Sequence, residues 1–141
     1  MLIVVLTNIA VVSTAVIIHY EFLLRLTLLL ARVKIRHRFR IVLGVGGALV
    51  AHAVEVWVFA FAYYFMHHAE AWGRLTGSFN GSLMDCVYFS FTTFTTVGFG
   101  DIQPTGDLRF LTGIESLTGL VLITWTASFP FVEMQKFWNE Q

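Results

Sequence analysis

Three long apolar stretches restrict what this 141-residue chain can fold into. They run from Leu2 to about Leu24, from Ile41 to about Met66, and from Leu108 to Val132. A helix needs about 20 apolar residues to cross the ~30 Å hydrocarbon core of a bilayer, and each stretch is long enough. The sequence therefore predicts an all-α membrane protein with three transmembrane helices.

The composition agrees with a membrane location. Hydrophobic residues make up 57% of the chain and charged residues only 13%, whereas soluble domains average about 45–50% and about 25%. This balance is a poor fit to a soluble enzyme or to a nucleic-acid-binding protein, so we expect neither enzymatic activity nor a nucleic-acid partner. The single cysteine, Cys86, excludes an intrachain disulfide.

Positive charge is concentrated between the first two apolar stretches, because six of the nine Lys and Arg residues fall between Arg25 and Arg40. Cytoplasmic loops of membrane proteins are enriched in these residues. We therefore expect a multi-pass protein of a cell membrane, bacterial by its small size, with the N-terminus outside and the C-terminus in the cytoplasm. The Arg32 to Arg40 segment also favours contact with anionic lipids, and its alternating cations lack the spacing of a voltage sensor.

A fourth apolar segment, residues 83–95, lies between the second and third stretches and is too short to span a bilayer. Ser82, followed three residues later by Asp85, is typical of a helix N-terminus. The segment leads into a run of glycines alternating with larger residues: Thr96, Val97, Gly98, Phe99, Gly100 and Asp101. Because glycine permits backbone conformations that other residues resist, we predict a short re-entrant helix followed by a turn whose carbonyls can face one axis.

This arrangement resembles the pore of the tetrameric potassium channel family. The match is to the motif Thr-Val-Gly-Tyr-Gly-Asp, with Phe99 in the tyrosine position, and with the flanking helices it extends from about Ile41 to Phe131. The resemblance implies a selectivity filter in which backbone carbonyls, with the Thr96 hydroxyl, replace the hydration shell of K⁺. The implied ion-binding residues are Thr96, Val97, Gly98, Phe99 and Gly100, with K⁺ at the first four.

The resemblance also implies a C4 homotetramer, because one chain supplies only one filter loop. No cofactor is expected besides K⁺ as the permeant ion. The chain then divides into an N-terminal helix and basic loop at residues 1–40, a pore domain at 41–135 and a tail at 136–141. Within the pore domain we predict an outer helix at 41–67, a turret at 68–82, a pore helix at 83–95, the filter at 96–100 and an inner helix at 107–135.

Four residues are expected to support the filter: Tyr88, Thr92, Asp101 and Glu115. Phe99 lacks the hydroxyl that braces the filter in the family, so we expect Tyr88 to donate a hydrogen bond to Asp101 instead. Some family members carry a glutamate where this chain has Thr92. Glu115, inside the third apolar stretch, is expected either to replace that carboxylate by reaching Thr92 or Thr93, or to make a structural hydrogen bond.

The third apolar stretch contains the predicted hinge and gate. Gly119 lies close to the hinge position of the family, with close helix packing as the alternative. Pro130 lacks a backbone N–H and predicts a kink. Phe131 is interpreted as a hydrophobic constriction that gates by dewetting, with ordinary packing as the alternative. The predicted cavity-lining residues follow Gly119 at helical spacing: Leu120, Ile123 and Ala127.

Other ionisable residues lie within or beside the second stretch. His52 and Glu55 share one helix face, and we interpret them as contacts between helices, directed toward the first span. His67 and His68 end the second stretch on the outer side. They are either candidates for sensing protons or a metal, or bystanders on the surface.

Passive K⁺ conduction is the leading interpretation, and a weakly selective monovalent cation channel is the close alternative. A membrane haem or quinone protein could use His19 and His52 as axial ligands. That function requires both histidines at one depth, whereas the predicted topology places His19 nearer the cytoplasm. A non-conducting accessory subunit would leave the complete filter motif unexplained. An unidentified regulatory subunit stays open as a partner.

Overall fold

The computed structural model describes residues 2–33, 36–69 and 71–138. Six elements follow one another along the chain. They are α1 (Leu2–Arg32), α2 (His37–His68), β1 (Leu75–Gly77), α3 (Leu83–Phe94), β2 (Ile102–Pro104) and α4 (Leu108–Trp138). Lys34, in the predicted basic segment, and residues 139–141 of the predicted tail lie outside the described residues.

Three helices are long and apolar enough to cross a membrane: Leu2–Arg32, Phe39–His68 and Leu108–Phe131. The prediction of a mostly helical protein with three candidate spans is thus confirmed. The first two helices are longer than expected, because α1 continues to Arg32 and α2 begins at His37. Arg and Lys have high helix propensity, so most of the basic segment extends the helices instead of forming a loop.

Small residues bring α1 and α2 together. Ala15 on α1 and Ala51 on α2 are both fully buried. Gly47 faces Leu26 so closely that a Cβ there would collide with the leucine side chain. Without a hydrophobic driving force inside a bilayer, helices associate through such close packing. Farther along α1, Leu23, Leu26 and Leu30 form a cluster with Phe129, so that α1 also contacts α4.

The main hydrophobic core lies where α3 packs against α2 and α4. Aromatic rings contribute much of it: Tyr63 meets Phe89 edge-on at 5.0 Å between ring centroids, and Phe59 lies 6.4 Å from Phe94. Twelve residues give α3 a length of about 18 Å, less than the hydrocarbon thickness of a bilayer. α3 is therefore too short to span a bilayer, and it packs against two of the long helices, α2 and α4.

The two strands were not expected from the sequence. β1 and β2 pair antiparallel, with Leu75 opposite Pro104 and Gly77 opposite Ile102. Strands of three residues are too short to show the alternating pattern by which a strand is predicted. Their pairing ties the segment after α2 to the segment before α4, and it confines residues 95–101 between α3 and β2.

Candidate functional site

The start of α3 is defined by a side-chain cap. The Ser82 hydroxyl accepts a hydrogen bond from the Asp85 N–H at 3.1 Å, as predicted. The Asp85 carboxylate accepts from the backbone N–H of Asn80 at 2.8 Å, one turn before the helix. The first contact satisfies a donor that a helix N-terminus leaves without a partner, and the second ties the segment before the helix to its first turn. With its N-terminus held in this way, α3 directs the negative end of its dipole toward residues 95–101.

Residues 95–101 make a turn with an unusual backbone. φ is positive at every second residue: 61° at Thr96, 51° at Gly98 and 81° at Gly100. Thr96 is the only non-glycine residue with positive φ in the described part of the chain. Such a conformation costs about 1–3 kcal/mol and is maintained where the surrounding structure enforces it. The N–H groups of Thr96 and Gly98 bond to the carbonyls of Thr93 and Thr92, which closes the turn against α3.

The same segment is exposed along its whole length, with the Phe99 side chain 69% accessible and Val97 56% accessible. Among the described residues, none donates a hydrogen bond to the carbonyls of residues 96–99. Unpaired backbone carbonyls are strong acceptors that require water, another chain or a cation as a partner. Chemically, the turn is a set of oxygen ligands held in a strained, preformed backbone.

Tyr88 and Asp101 flank this turn. The Tyr88 hydroxyl donates to Asp101 Oδ2 at 2.9 Å, which confirms the expected hydrogen bond. This bond raises the pKa of the Tyr88 phenol above its ordinary value, with further contributions from desolvation and from the negative charge of Asp101. The Tyr88 ring also lies parallel to the Phe99 ring at 6.4 Å. Asp101 is held from the other side, where its carbonyl accepts from the Ser78 N–H at 2.9 Å.

Behind the turn, Glu115 of α4 is completely buried. Its two carboxyl oxygens bond to the hydroxyls of Ser90 on α3 and Tyr63 on α2. Its partners are therefore not Thr92 or Thr93, because the Thr92 hydroxyl bonds within its own helix to the Phe89 carbonyl. We refer to Glu115, Ser90 and Tyr63 as the hydroxyl cluster. It joins three helices at one point.

Sequence reasoning identified Glu115 but missed Ser90 and Tyr63. The signal available was chemical: a carboxyl group inside an apolar helix is costly unless it finds hydrogen-bond partners. Several hydroxyl groups in α2 and α3 could have supplied the hydrogen-bond partners of Glu115. Choosing between these hydroxyls requires the depth and rotation of each helix, which no local pattern contains.

The residues of α4 that were predicted as hinge, gate and cavity lining differ in their packing and exposure. Gly119 packs directly against the backbone carbonyl of Phe94, which corresponds to the packing alternative. Leu120, Ile123 and Ala127 have exposed side chains, and α4 runs through Pro130 without interruption. The two phenylalanines beside Pro130 differ, since Phe129 packs on α1 whereas Phe131 is exposed.

The histidines beside β1 have structural contacts. The Leu75 N–H donates to His67 Nδ1 at 3.1 Å, and the His67 ring packs edge-on against Phe79 at 4.7 Å. His68 Nδ1 donates to the Tyr64 carbonyl at 2.8 Å. These contacts hold the end of α2 next to β1, whereas proton or metal sensing by the pair stays a prediction.

The second pair of histidines corrects the sequence analysis. His19 and His52 stack with ring centroids 5.5 Å apart, so both lie at one depth. Counted from Arg32 at the end of α1 and from His37 at the start of α2, they lie 13 and 15 residues along their helices, or about 20 and 22 Å at 1.5 Å per residue. The depth argument against their meeting was therefore wrong. The predicted contact of His52 and Glu55 with α1 is confirmed, since His19 bonds to Glu55 at 2.8 Å.

Comparison with known proteins adds one finding to this geometry. A family model described as an ion channel matches residues 51–135, which is more than half of the chain. The matched region includes α3, residues 95–101, and most of α2 and α4, and it leaves α1 outside. No curated protein and no solved structure matches the chain.

Proposed function

The chain belongs to this pore-loop ion channel family, and on that premise we propose that it is the subunit of a tetrameric potassium channel that conducts K⁺ passively. In this proposal α3 is the re-entrant pore helix and residues 96–100 are the selectivity filter. K⁺ is bound by the carbonyls of residues 96–99 and by the Thr96 hydroxyl. Permeation requires no chemical step and no cofactor.

The observation that carries the proposal is the backbone of residues 96–100. In an extended strand, successive carbonyls point to opposite sides. Positive φ at every second residue turns alternate peptide groups over, so that successive carbonyls can face the same side. A row of such oxygens is what a dehydrated K⁺ needs in place of water. The strained Thr96 is consistent with this reading, because strain of this kind clusters at functional sites.

Assembly into a tetramer accounts for the exposure of this region. One chain supplies oxygens on one side of an ion only, whereas a ring of four loops around an axis surrounds it. The turn and α3 also leave an uncovered groove of about 510 Å³. Apolar side chains dominate its lining, among them Tyr88, Phe91, Val97 and Phe99. A neighbouring copy would cover this groove in the assembled pore.

The contacts around the turn support a braced filter. Tyr88 replaces the missing hydroxyl of Phe99 by its bond to Asp101. The hydroxyl cluster fixes α3 to α2 and α4, and Ser116 adds a bond to the Thr93 carbonyl at 3.2 Å. Thr92 is buried directly beside the turn. We propose these groups as positioning residues of the filter.

We further propose that Leu120, Ile123 and Ala127 line the cavity below the filter and that Phe131 is its constriction. The exposure of Phe131, in contrast to the packed Phe129, supports a role outside the subunit core. Phe131→Asp is expected to raise basal Rb⁺ flux into liposomes. Unchanged flux would contradict the assignment of the gate.

For orientation we propose an outer N-terminus and a cytoplasmic C-terminus. Of the basic residues near the α1–α2 turn, Arg32 and Arg36 are exposed, which is compatible with anionic lipids on the cytoplasmic side. The strands and Asp101 lie toward the opposite end of α2, on the outer side. Acidic groups there would concentrate cations at the mouth of the filter.

The deciding experiment is the reversal potential in a planar bilayer with K⁺ on one side and Na⁺ on the other. We expect a value near the K⁺ equilibrium potential. Clear currents that reverse near zero would instead indicate a weakly selective cation channel on the same scaffold, and a purified protein without currents would contradict the proposal.

Two glycine variants provide a matched pair for that experiment. Gly98 and Gly81 both have positive φ, at 51° and 80°, and a Cβ would meet no atom within 4 Å at either position. Alanine therefore introduces comparable backbone strain at both. Gly98→Ala is expected to abolish K⁺ current and Gly81→Ala to preserve it. Equal losses would mean that strain, and not the filter, explains the effect.

A further inference from the structure

A second buried cluster joins the N-terminal helix to the rest of the molecule. It consists of His19 on α1, His52 and Glu55 on α2, and Thr126 on α4, and we refer to it as the imidazole cluster. His19 and Glu55 are completely buried, and the His52 side chain is 15% exposed. The family match covers His52, Glu55 and Thr126 but not His19, and the proposed conduction of K⁺ gives none of the four a role.

When both imidazoles are neutral, the cluster contains more hydrogen-bond acceptors than donors. The two carboxylate oxygens of Glu55 bond to Nδ1 of His19 at 2.8 Å and to Nδ1 of His52 at 2.9 Å. A carboxylate accepts from both rings only if each Nδ1 carries a proton. When both rings are neutral, each Nε2 then has a free lone pair, whereas a protonated ring donates from its Nε2 as well. Both Nε2 atoms face the Thr126 hydroxyl, at 3.5 and 3.0 Å. One hydroxyl proton can satisfy only one of them.

The charges of the cluster do not cancel in this state either. In this arrangement Glu55 contributes a negative charge and both imidazoles are neutral. Within the described residues, the two histidines are the only hydrogen-bond partners of Glu55, and no Lys or Arg pairs with it. An uncompensated charge inside a membrane span is costly. A proton on one imidazole, or a metal cation bound between the two Nε2 atoms, would offset the charge and use the unsatisfied lone pair.

The donor set is suited to a transition-metal ion. Neutral imidazole nitrogens bind Zn²⁺ and related ions at about 2.0–2.1 Å. A carboxylate that accepts the other ring N–H fixes the tautomer and orientation of a ligating histidine, and here one carboxylate does so for two rings. One ligand atom from each of His19, His52 and Glu55 can be chosen such that all three lie within 4.8 Å of one another. Both Nε2 atoms lie within 3.5 Å of the same Thr126 oxygen, so small side-chain rotations would bring the two imidazoles to a common ion.

The cluster is also accessible. His52 and Thr126 border an apolar cavity of about 270 Å³ between α2 and α4, which Leu49, Ile123 and Pro130 also line. The cavity opens onto the His52 and Thr126 side of the cluster, whereas the buried His19 is not among its lining residues.

From these observations we propose that the imidazole cluster is a binding site for a first-row transition-metal ion of the Zn²⁺ type. Nε2 of His19 and Nε2 of His52 are the nitrogen ligands, and the Thr126 hydroxyl oxygen is the third protein group facing the ion. Glu55 orients both rings and balances the charge. The bound ion connects α1 to α4 four residues before Pro130, so the site links the N-terminal helix to the inner helix of the proposed pore.

The test is a titration of the purified, chelator-treated full chain in detergent with Co²⁺ as the spectroscopic probe, followed by displacement with Zn²⁺. We expect the visible absorption of Co²⁺ in a low-coordinate site, at one ion per chain, and its loss on addition of Zn²⁺. His52→Gln is expected to abolish the signal. Glu55→Gln is expected to weaken binding by about 10–100-fold, the usual effect of losing a carboxylate that orients a ligand.

His68→Gln is the matched control, because His68 is a histidine of the same helix with an exposed side chain. It is expected to leave the titration unchanged. A signal lost in His68→Gln and kept in His52→Gln would assign the ion to the exposed histidines and overturn the proposal. A wild-type chain that leaves Co²⁺ in its hydrated form at millimolar concentration would also overturn it, including the case in which the cluster takes up only protons. Neither outcome depends on K⁺ conduction. The titration of the wild-type chain does not require any variant to fold.

Discussion

Two carboxylates, Glu55 and Glu115, lie inside apolar helices, and both are completely buried. Glu115 is held by the hydroxyls of Ser90 and Tyr63, which donate hydrogen bonds. Glu55 is held by His19 and His52, whose second ring nitrogens face the Thr126 hydroxyl. Hydroxyl donors offer no further ligand atom of this kind beside the carboxylate, whereas each imidazole donor has a second nitrogen that can bind a cation. The same residue type can therefore brace one region and prepare a binding site in another.

The position of the two carboxylates also differs relative to α3. Glu115 bonds directly to α3 and so to the helix that carries residues 95–101. Glu55 bonds to His19 on α1, and its partner His52 contacts Thr126 on α4. The hydroxyl cluster is expected to control the proposed filter, and the imidazole cluster to control the attachment of α1.

The largest expected effect comes from Glu115→Ala. It removes the carboxylate that joins α4 to α2 and α3, and it leaves Ser90 and Tyr63 only their bonds to the Val56 carbonyl and the Thr112 hydroxyl. We expect a loss of about 3 kcal/mol in unfolding free energy together with loss of K⁺ flux. Glu55→Ala is expected to reduce stability but to retain flux. Thermal unfolding in detergent and Rb⁺ uptake by liposomes measure the two quantities. Flux losses of equal size in both variants would contradict the distinction drawn between the two carboxylates.

Tyr63→Phe removes one donor from the hydroxyl cluster and keeps the ring that packs on Phe89. We expect unfolding free energy to fall by about 1–1.5 kcal/mol, the value of one buried hydrogen bond to a polar group. Tyr64→Phe, one residue along the same helix, is the control and is expected to change stability by less than about 0.5 kcal/mol. Thermal unfolding of the two variants side by side makes the comparison. Similar effects would show that the tyrosine hydroxyl at position 63 is not important for the cluster.

Tyr88→Phe tests the brace on the outer side of the turn. We expect a faster decline of K⁺ current during sustained recording, because Asp101 loses its partner. Tyr20→Phe, at an exposed tyrosine of α1, should leave the current unchanged. If the decline of Tyr88→Phe matched that of the wild type, this bond would have no part in holding the filter.

The pH dependence of this bond has a defined sign. The hydrogen bond to Asp101 raises the pKa of the Tyr88 phenol above 10.0, so the protonated donor is the form that the native structure favours. Its contribution is complete below the ordinary tyrosine pKa and is lost as pH rises through the raised value. Wild-type current stability should therefore approach that of Tyr88→Phe only at strongly alkaline pH. Convergence of the two near neutral pH would contradict this assignment.

The smallest effect is expected for Glu21→Ala. Glu21 pairs with Arg25 at 3.5 Å on α1, but both side chains are largely exposed. Pairs of this kind contribute about 0–1 kcal/mol, so we expect a change of less than about 0.5 kcal/mol in the thermal unfolding measurement. A larger loss would mean that removal of any glutamate weakens the protein, and the comparison of the two buried carboxylates would lose its meaning.

Much of the fold could be predicted because it depends on local properties. Helix existence follows from hydropathy, the start of α3 from Ser82, and the turn from the glycines at 98 and 100. The depth of the two histidines was predicted wrongly, because similar distances from the adjoining ends of α1 and α2 bring His19 beside His52. The strands escaped prediction because pairing between Leu75 and Pro104 has no local signal.

The sequence by itself determined the three spans, the short helix between them and the residues that allow positive φ in the turn. These features follow from hydrophobic length and from the conformations each residue type permits. Only the tertiary structure decided which groups surround the two carboxylates. Glu115 bonds to Ser90, which lies 25 residues away in the sequence, and His19 contacts Thr126, which lies 107 residues away. Contacts over such distances depend on the depth and rotation of whole helices, which packing sets and no short pattern encodes.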